Sequence, residues 1–168
     1  LGIRDAGAVQ QLEFEIGTAR QCGLEARVID IPTTFDGAHL VAIHRVLFGE
    51  VYPWAGVFRQ YDMGLRDQTF GAATIERYLE DATVILQLPH EPFAQAAAPS
   101  DRARRAYGHR AATAYAYLNC AHPFREGNGR AAKTLLQLVA ARAGYRFDFS
   151  AVTKKQWDSA SRQSAPDP

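Results

Sequence analysis

The stretch Asn119–Lys133, NCAHPFREGNGRAAK, concentrates reactive side chains in one short segment of the 168-residue chain. A histidine, a carboxylate, an asparagine between two glycines and three basic residues fall within His122–Lys133. A helical pattern of apolar residues leads up to this stretch, and another begins near Gly129 or Arg130. The stretch is therefore predicted to contain a loop between two helices. The two helices would then determine where the reactive side chains of this loop lie.

The sequence Gly127-Asn128-Gly129 directly before a helix is typical of an anion-binding loop. The first turn of a helix presents unpaired N–H groups and a partial positive charge. Glycines let a phosphate approach the backbone closely. Arg130 and Lys133, three residues apart on the same side of the predicted helix, can reach the oxygens of a polyphosphate.

Glu126 and His122 add acid and base chemistry to this loop. A carboxylate beside an anion site would repel phosphate unless Mg²⁺ lies between them, and Mg²⁺ is usually held by one or two carboxylates plus substrate phosphates. A neutral His122 can accept the proton of an attacking hydroxyl. Phe124 is interpreted as a buried anchor of the loop. Together these residues indicate phosphoryl or nucleotidyl transfer.

The composition limits the kinds of molecule that the protein is expected to bind. With 19 basic and 18 acidic side chains the formal net charge is +1, which argues against bulk electrostatic capture of nucleic acid or a membrane. No apolar run approaches the roughly 20 residues that span a bilayer. Cys22 and Cys120 are expected to be buried free thiols in a reducing cytosol. The chain begins without methionine, so a longer parent protein is expected.

Helical periodicity dominates the chain outside the loop. The predicted helices run over about Asp5–Gly23, from Asp36 to Gly49, over about Thr74–Leu86, from Ser100 to the loop, and from about Gly129 to Gly144. The first helix is expected to bury one face, formed by Val9, Leu12, Ile16 and Ala19. No repeat or low-complexity segment interrupts this pattern, which predicts a single mainly α domain.

One short β-hairpin is predicted between the second and third helices. Its strands are expected in the run Val57–Tyr61 and in Gln68–Phe70, with Gly64 between them. The predicted fold class is therefore mainly α, a helical bundle with one hairpin.

The segment HPFREGNGR, His122–Arg130, resembles the signature of the Fic family, H-x-F-x-(D/E)-G-N-G-R-x-x-R. The segment LFGEVYPWAGVFR, Leu47–Arg59, is also similar to that family, and the similarity covers most of the chain. The resemblance implies one Fic domain over residues 1–168, with its core motif at 122–133 and a flap hairpin at about 57–70. It further implies an enzyme that transfers AMP from ATP, with Mg²⁺, to a Tyr, Ser or Thr hydroxyl of a target protein.

The resemblance also implies roles for individual residues. His122 would be the general base and Glu126 the Mg²⁺ ligand. The implied nucleotide site consists of Phe124, Arg125, Gly127, Asn128, Gly129, Arg130, Lys133, Leu65 and Arg66. The implied flap, which binds a target segment by strand addition, contains Tyr61, Asp62, Met63 and Gly64.

Two positions depart from the family pattern. The last motif position is Lys133 instead of arginine, which keeps the charge and loses the two-pronged geometry. The flap tip commonly carries a lysine followed by glycine, and here Leu65-Arg66 stand there. The sequence contains no S/T-x-x-x-E-G/N inhibitory motif, which implies either a toxin-type member restrained by a small antitoxin or an inhibitory helix that was trimmed.

Several alternatives stay open at this stage. Fic relatives use other donors, including UMP, phosphocholine and phosphate; the kinase branch replaces the second motif glycine with lysine, so Gly129 favours AMP. A catalytically silent Fic fold that only binds is the other alternative. The target could be a bacterial protein such as a type II topoisomerase or, for a secreted relative, a host GTPase, and the predicted location is the bacterial cytoplasm. The basic run at 101–110 is interpreted as a solvated helix face and not as an RNA site.

Overall fold

The computed structural model describes residues 5–65, 68–88 and 100–164. The elements in these ranges are α1 (Ala6–Glu25), α2 (Gly37–Phe48), β1 (Met63–Leu65), β2 (Gln68–Phe70), α3 (Ile75–Gln87), α4 (Asp101–Ala121), α5 (Asn128–Arg142) and α6 (Lys154–Gln163). The predicted fold class, a mainly α bundle with one short hairpin, is confirmed.

Several helices begin at polar side chains that cap their first turn. Asp5 Oδ1 accepts from the Ala8 N–H at 2.7 Å, and Asp36 and Ser100 cap α2 and α4 in the same way. Such caps satisfy N–H groups that have no partner inside the helix and contribute about 1 kcal/mol each. The predicted starts of these three helices are confirmed to within one residue.

The core lies where α4 and α5 meet the other helices. α3 packs along α4, α2 packs against α5, and α1 contacts both α2 and α5. Ala114 of α4 and Ala131 of α5 are fully buried, and such small side chains let helix axes approach closely. Phe124, which precedes α5, is also fully buried, so the loop predicted to carry the chemistry is anchored in the core.

The hairpin is shorter and begins later than predicted. β1 pairs antiparallel with β2, and Met63 stands opposite Phe70. The prediction of a first strand in Val57–Tyr61 is wrong. In that segment Arg59 is buried and its N–H donates to the Pro123 carbonyl at 2.9 Å, so the segment packs on the motif loop instead of pairing with β2.

The inward face of α1 also differs from the prediction. Ala19, predicted to be buried, is exposed, whereas Glu13 and Gly17 are buried. A carboxylate can occupy this face because Glu13 has polar partners there, described below. Cys22 is exposed and Cys120 is half-buried, so the expectation of two buried thiols is wrong.

α6 is a helix that the periodicity did not predict. It begins with a capping box in which Thr153 Oγ1 accepts from the Gln156 N–H and the Gln156 side chain accepts from the Thr153 N–H. The T-x-x-Q spacing is a known helix-start signal and could have revealed it. Trp157 of α6 packs against the core cluster. Among the described helices, none has the length and apolar character needed to cross a membrane.

Candidate active site

His122 stands at the end of α4 in a left-handed conformation, with φ 38° and ψ 54°. That conformation is unfavourable for a residue with a Cβ, and such outliers concentrate at functional sites. Its ring stacks on Phe70 of β2 at a centroid distance of 4.4 Å. Its Nδ1 is buried and makes no hydrogen bond of good geometry with any described residue. The hairpin thus covers one face of the candidate base.

Arg59 holds the backbone at this helix end. It is 2% exposed, and its Nε donates to the His122 carbonyl at 2.7 Å while Nη2 donates to the Ala121 carbonyl at 3.2 Å. Its Nη1 donates to the Tyr61 carbonyl at 2.6 Å, which ties the start of the flap to the same guanidinium. The last carbonyls of a helix lack intrahelical partners, and a cation there also complements the helix dipole. Arg59 therefore stabilises the strained conformation of His122.

The electrostatic environment keeps the His122 ring neutral. Burial is the main cause that lowers the pKa of His122, and the charge of Arg59 lowers it further. The backbone of Asn119 and the carboxylate of Glu126 act in the opposite direction without reversing the shift. A histidine whose pKa is below its usual value is unprotonated at pH 7 and can accept a proton.

His44 of α2 forms hydrogen bonds that hold the motif loop in place. Its Nδ1 accepts from the Gly56 N–H at 3.0 Å, so its Nε2 carries the proton and donates to the Glu126 carbonyl at 2.9 Å. Its ring stacks on Phe124 at 3.8 Å, and burial lowers its pKa. The two hydrogen bonds specify one neutral tautomer, which indicates a structural role for His44.

Asn128 directs its side chain into the loop. Its Oδ1 accepts from the Phe124 N–H and its Nδ2 donates to the Phe124 carbonyl, each at 2.8 Å. The amide therefore closes the turn around the buried phenylalanine. The backbone N–H of Asn128, in the first turn of α5, is the part of this residue that remains suited to an anion.

The two motif glycines have different surroundings. Gly127 has φ 79°, and a Cβ there would lie 2.5 Å from Phe48 Cε2. A Cβ on Gly129 would meet no described atom within 4 Å. The loop is thus packed tightly on its Phe48 side and open at Gly129, where a ligand could approach the start of α5.

Glu126 is exposed at the rim of the loop. Its Oε1 accepts from the Gly127 N–H at 2.9 Å, which leaves the second oxygen for a ligand. Within the described ranges no group of three or more His, Cys, Asp or Glu side chains is placed to hold a metal ion. One carboxylate fits a Mg²⁺ ion that substrate phosphates would coordinate as well, and does not fit an all-protein metal cage.

The two basic residues of the motif are held by different partners. Arg130 forms an ion pair with Glu13 of α1, and its guanidinium lies 4.5 Å from the centroid of the Phe48 ring. The Lys133 ammonium lies 3.9 Å from the centroid of the Trp157 ring in α6. Both were predicted to reach one polyphosphate. In the structure Arg130 contacts α1, near the start of the chain, and Lys133 contacts α6, near its end.

The predicted flap residues lie near Arg125 of the motif loop. The Arg125 guanidinium is 5.9 Å from the ring centroids of both Trp54 and Tyr61. Asp62 Oδ1 accepts from the Ala72 N–H at 2.7 Å, which fixes the base of the hairpin. Leu65 at the end of β1 is exposed. The remaining residues of this prediction are Met63, half-buried, Gly64, exposed, and Arg66, which lies outside the described residues.

Sequence reasoning missed several residues that shape the site. They are Glu13, which pairs with Arg130, Arg59, which holds His122, and Phe70, which stacks on it. Arg59 is the last residue of Leu47–Arg59, the second segment that is similar to the Fic family. That similarity could have indicated a role for it. A lone glutamate on the apolar side of α1 was the signal for Glu13.

Comparisons with known proteins give a consistent result. The model of the family described as Fic/DOC matches residues 34–140. Over 165 residues the chain is 33% identical to protein adenylyltransferase VbhT of Bartonella schoenbuchensis, an alignment that covers 98% of this chain and 33% of VbhT. It is 29% identical to the Salmonella typhimurium protein named "Probable protein adenylyltransferase Fic", with 98% of this chain and 78% of that protein covered. The chain therefore spans about a third of VbhT and most of the Salmonella protein.

A solved structure agrees with these sequence matches. The N-terminal Fic domain of a VirB-translocated Bep effector protein from Bartonella quintana, with bound ADP, superposes with a TM-score of 0.78. The two are 26% identical, and the superposition covers 97% of this chain and 79% of that one. The match extends beyond residues 34–140, so α1 and α6 have counterparts in a related domain. The resemblance noted from the sequence is confirmed.

Proposed function

The chain belongs to the Fic/DOC family, and from that premise we propose that it is a protein adenylyltransferase that transfers AMP from ATP to a hydroxyl of a target protein. One observation carries the proposal. A half-buried, neutral His122 stands at the end of α4, directly before a glycine loop whose N–H groups begin α5. A base next to an anion site is the arrangement that nucleotidyl transfer requires. The names of VbhT and of the Salmonella relative support the same reaction.

The proposed reaction has one base and one leaving group. The oxygen of a target Tyr, Ser or Thr hydroxyl attacks the α-phosphorus of ATP and forms a new P–O bond. The bond between that phosphorus and the oxygen leading to the β-phosphate breaks, and pyrophosphate leaves. His122 accepts the hydroxyl proton, and Nε2 is the nitrogen suited to do so because Nδ1 is buried. First-turn N–H groups of α5 stabilise negative charge on the phosphates.

Magnesium would be held by Glu126 together with the phosphates of the nucleotide. When bound, the ion supplies charge neutralisation on those phosphates. Glu126 keeps one carboxylate oxygen available for this role, since the other accepts from the Gly127 N–H. The Arg130 and Lys133 side chains would neutralise the remaining negative charge of the phosphates.

The nucleotide is proposed to lie along the start of α5. The backbone N–H groups of Asn128 and Gly129 would bind phosphate, whereas the Gly127 N–H already donates to Glu126 Oε1, and Arg130 would clamp the phosphate. Lys133 would reach the γ-phosphate only by leaving Trp157, one turn further along the helix. Arg125, Leu65 and Arg66 are proposed as further nucleotide contacts, of which Arg66 lies outside the described residues, whereas the fully buried Phe124 anchors the loop.

The target protein is proposed to dock on the hairpin by strand addition. β1 is three residues long and its partner strand β2 lies on one side only, which leaves backbone groups of the other edge for a target. Tyr61 and Leu65 are exposed beside that edge and could contact target side chains. A small antitoxin whose glutamate meets the motif cations is the proposed regulator. The bacterial cytoplasm is the proposed location.

Labelled nucleotides test the reaction directly. The chain is incubated with a bacterial lysate and ATP labelled at either the α- or the γ-phosphate, and modified proteins are identified by mass spectrometry. Label from the α-phosphate, with a mass increase of one AMP, is the expected result. His122→Ala, which lacks the base, should transfer no label.

The same experiment separates the alternatives. Transfer of label from the γ-phosphate alone would replace AMP transfer with phosphorylation. Parallel reactions with UTP, GTP, CTP and CDP-choline test the other donors. If no donor gives a modified protein while ATP still binds, the chain is a binding module and the proposed function is wrong.

A further inference from the structure

Glu13 is a buried carboxylate on α1, an element that precedes the residues 34–140 matched by the family model. The residue is 7% exposed. One oxygen accepts from Arg130 Nη2 and the other accepts from the Tyr52 hydroxyl. Both oxygens are therefore engaged, as a buried carboxylate requires if it is to stay charged.

The Arg130 guanidinium occupies a slot with walls from three residues. Glu13 lies at one end, and the Phe48 ring lies under the guanidinium, with its centroid 4.5 Å from Cζ. Gly17 lies one turn after Glu13 on α1, and a Cβ there would stand 3.5 Å from Arg130 Nη1. That distance is an ordinary van der Waals contact, so α1 passes directly beside the Arg130 guanidinium.

Phe48 links this slot to the anion loop. The ring that supports the Arg130 guanidinium also lies against Gly127, where a Cβ would be 2.5 Å from Phe48 Cε2. The position of Arg130 relative to the loop is therefore determined by a shared aromatic ring and by a carboxylate from α1. Neither restraint comes from the motif itself.

We propose that Glu13 is a positioning residue that holds Arg130 in place to clamp a nucleotide phosphate; the proposal rests on the proposed function. A guanidinium has five N–H donors in a planar fork, and Glu13 engages the Nη2 end, which leaves donors for a phosphate. If Arg130 left Glu13 to bind phosphate, the buried carboxylate would keep only the neutral Tyr52 as a partner, which is unfavourable. Glu13 therefore orients Arg130 and does not compete with the phosphate.

The test replaces Glu13 by an isosteric neutral residue. In Glu13→Gln, the Kd for ATP measured by calorimetry should rise about tenfold, the effect of losing one charge-assisted contact. In an Arg130→Ala background the same replacement should change the Kd no further, because no guanidinium remains to be positioned. The matched control is Glu50→Gln, which breaks the exposed ion pair between Glu50 and Arg20 of α1 and should leave the Kd unchanged.

Two results obtained with Glu13→Gln would overturn the proposal. One is a Glu13→Gln variant that binds ATP as tightly as the wild type or more tightly, which would make Glu13 neutral or a competitor. The other is an equal loss of ATP affinity in the Arg130→Ala background, which would make Glu13 a general stabiliser of α1. If Glu13→Gln does not fold, Tyr52→Phe removes one hydroxyl and should raise the Kd by about two- to threefold; an unchanged Kd in that variant overturns the proposal as well.

A measurement without nucleotide separates this proposal from the proposed function. NMR of the Arg130 side chain should show slow rotation of the guanidinium in the wild type and fast rotation in Glu13→Gln. If the wild type transfers no AMP and binds no ATP, the proposed function fails while slow rotation still supports the ion pair. Fast rotation in the wild type overturns the positioning role whatever the activity.

Discussion

The loop before α5 has two faces with opposite properties, and its two glycines show the difference. Gly127 packs against Phe48, on the same inner side where Asn128 closes the turn around the buried Phe124. Gly129 faces open space. The inner face uses its polar groups for the protein itself, whereas the outer face leaves first-turn N–H groups for a ligand. Substitutions on the inner face should therefore reduce stability, and substitutions on the outer face should reduce activity.

The largest effect is expected on the outer side, at His122. In His122→Ala, AMP transfer should fall about 10²- to 10⁴-fold because no group accepts the hydroxyl proton. The Kd for ATP and the free energy of unfolding should change little, by less than about 1 kcal/mol for unfolding. Labelled transfer assays, calorimetry and thermal unfolding measure the three quantities. His109→Ala, an exposed histidine of the same helix, is the control, and transfer at the wild-type rate by His122→Ala would contradict the assignment.

Glu126 should affect nucleotide binding at the outer face by holding Mg²⁺. Glu126→Gln keeps an oxygen that can accept from the Gly127 N–H, so the loop should remain folded. The affinity for ATP in the presence of Mg²⁺ should fall roughly tenfold or more, with a smaller change when Mg²⁺ is absent. Calorimetry under both conditions measures this. Equal losses with and without Mg²⁺ would indicate that Glu126 is structural.

The two glycines form a matched pair that sharpens the comparison. Gly127→Ala should lower the free energy of unfolding by about 2–4 kcal/mol, because a Cβ would clash with Phe48 and φ is 79°. Gly129→Ala should leave stability unchanged or raise it by up to about 1 kcal/mol, since alanine favours helix and no described atom is near. It should weaken ATP binding if phosphate approaches there. Denaturant unfolding and calorimetry of both variants measure these effects; equal stability losses would remove the distinction between the faces.

Arg59 holds the backbone at His122, and its charge should affect the pH profile of activity. Because the pKa of His122 lies below its usual value, activity should persist on the acid side until the ring becomes protonated. Burial is the main cause, and the charge of Arg59 adds to it. Removing that charge in Arg59→Gln relieves repulsion of the imidazolium, so the pKa should rise and the acid limb should move to higher pH. Arg59→Lys retains the charge and should show a smaller movement. An acid limb at lower pH in Arg59→Gln would contradict the predicted sign.

The smallest effect is expected at Lys133. Lys133→Ala should weaken ATP binding more than ADP binding, because only ATP has a γ-phosphate. The loss should be about two- to threefold, since the ammonium must leave the Trp157 ring and the cation–π contact offsets much of the gain. Trp157→Leu frees the ammonium and should tighten ATP binding slightly. Equal losses for ATP and ADP would show that Lys133 supports α6 and does not touch the nucleotide.

The helices and the loop could be predicted from the sequence because their signals are local. Caps at Asp5, Asp36 and Ser100 and the spacing of apolar residues depend only on nearby residues. The hairpin was placed too early because its position depends on a distant contact, the N–H of Arg59 donating to the Pro123 carbonyl. Propensity in that segment favoured a strand, and tertiary packing on the loop overrode it.

The sequence by itself determined the family, the helical fold class and the residues of the motif, because a fixed spacing of base, acid and glycines needs no knowledge of the rest of the chain. Only the tertiary structure decided what those residues contact. Arg130 and Lys133 are both cations on α5, yet one is paired with the Glu13 carboxylate of α1 and the other lies over the Trp157 ring of α6. Both partners are far away in sequence, and only the fold of the chain, which packs α1 against α5 and places Trp157 beside Lys133, brings them within contact distance.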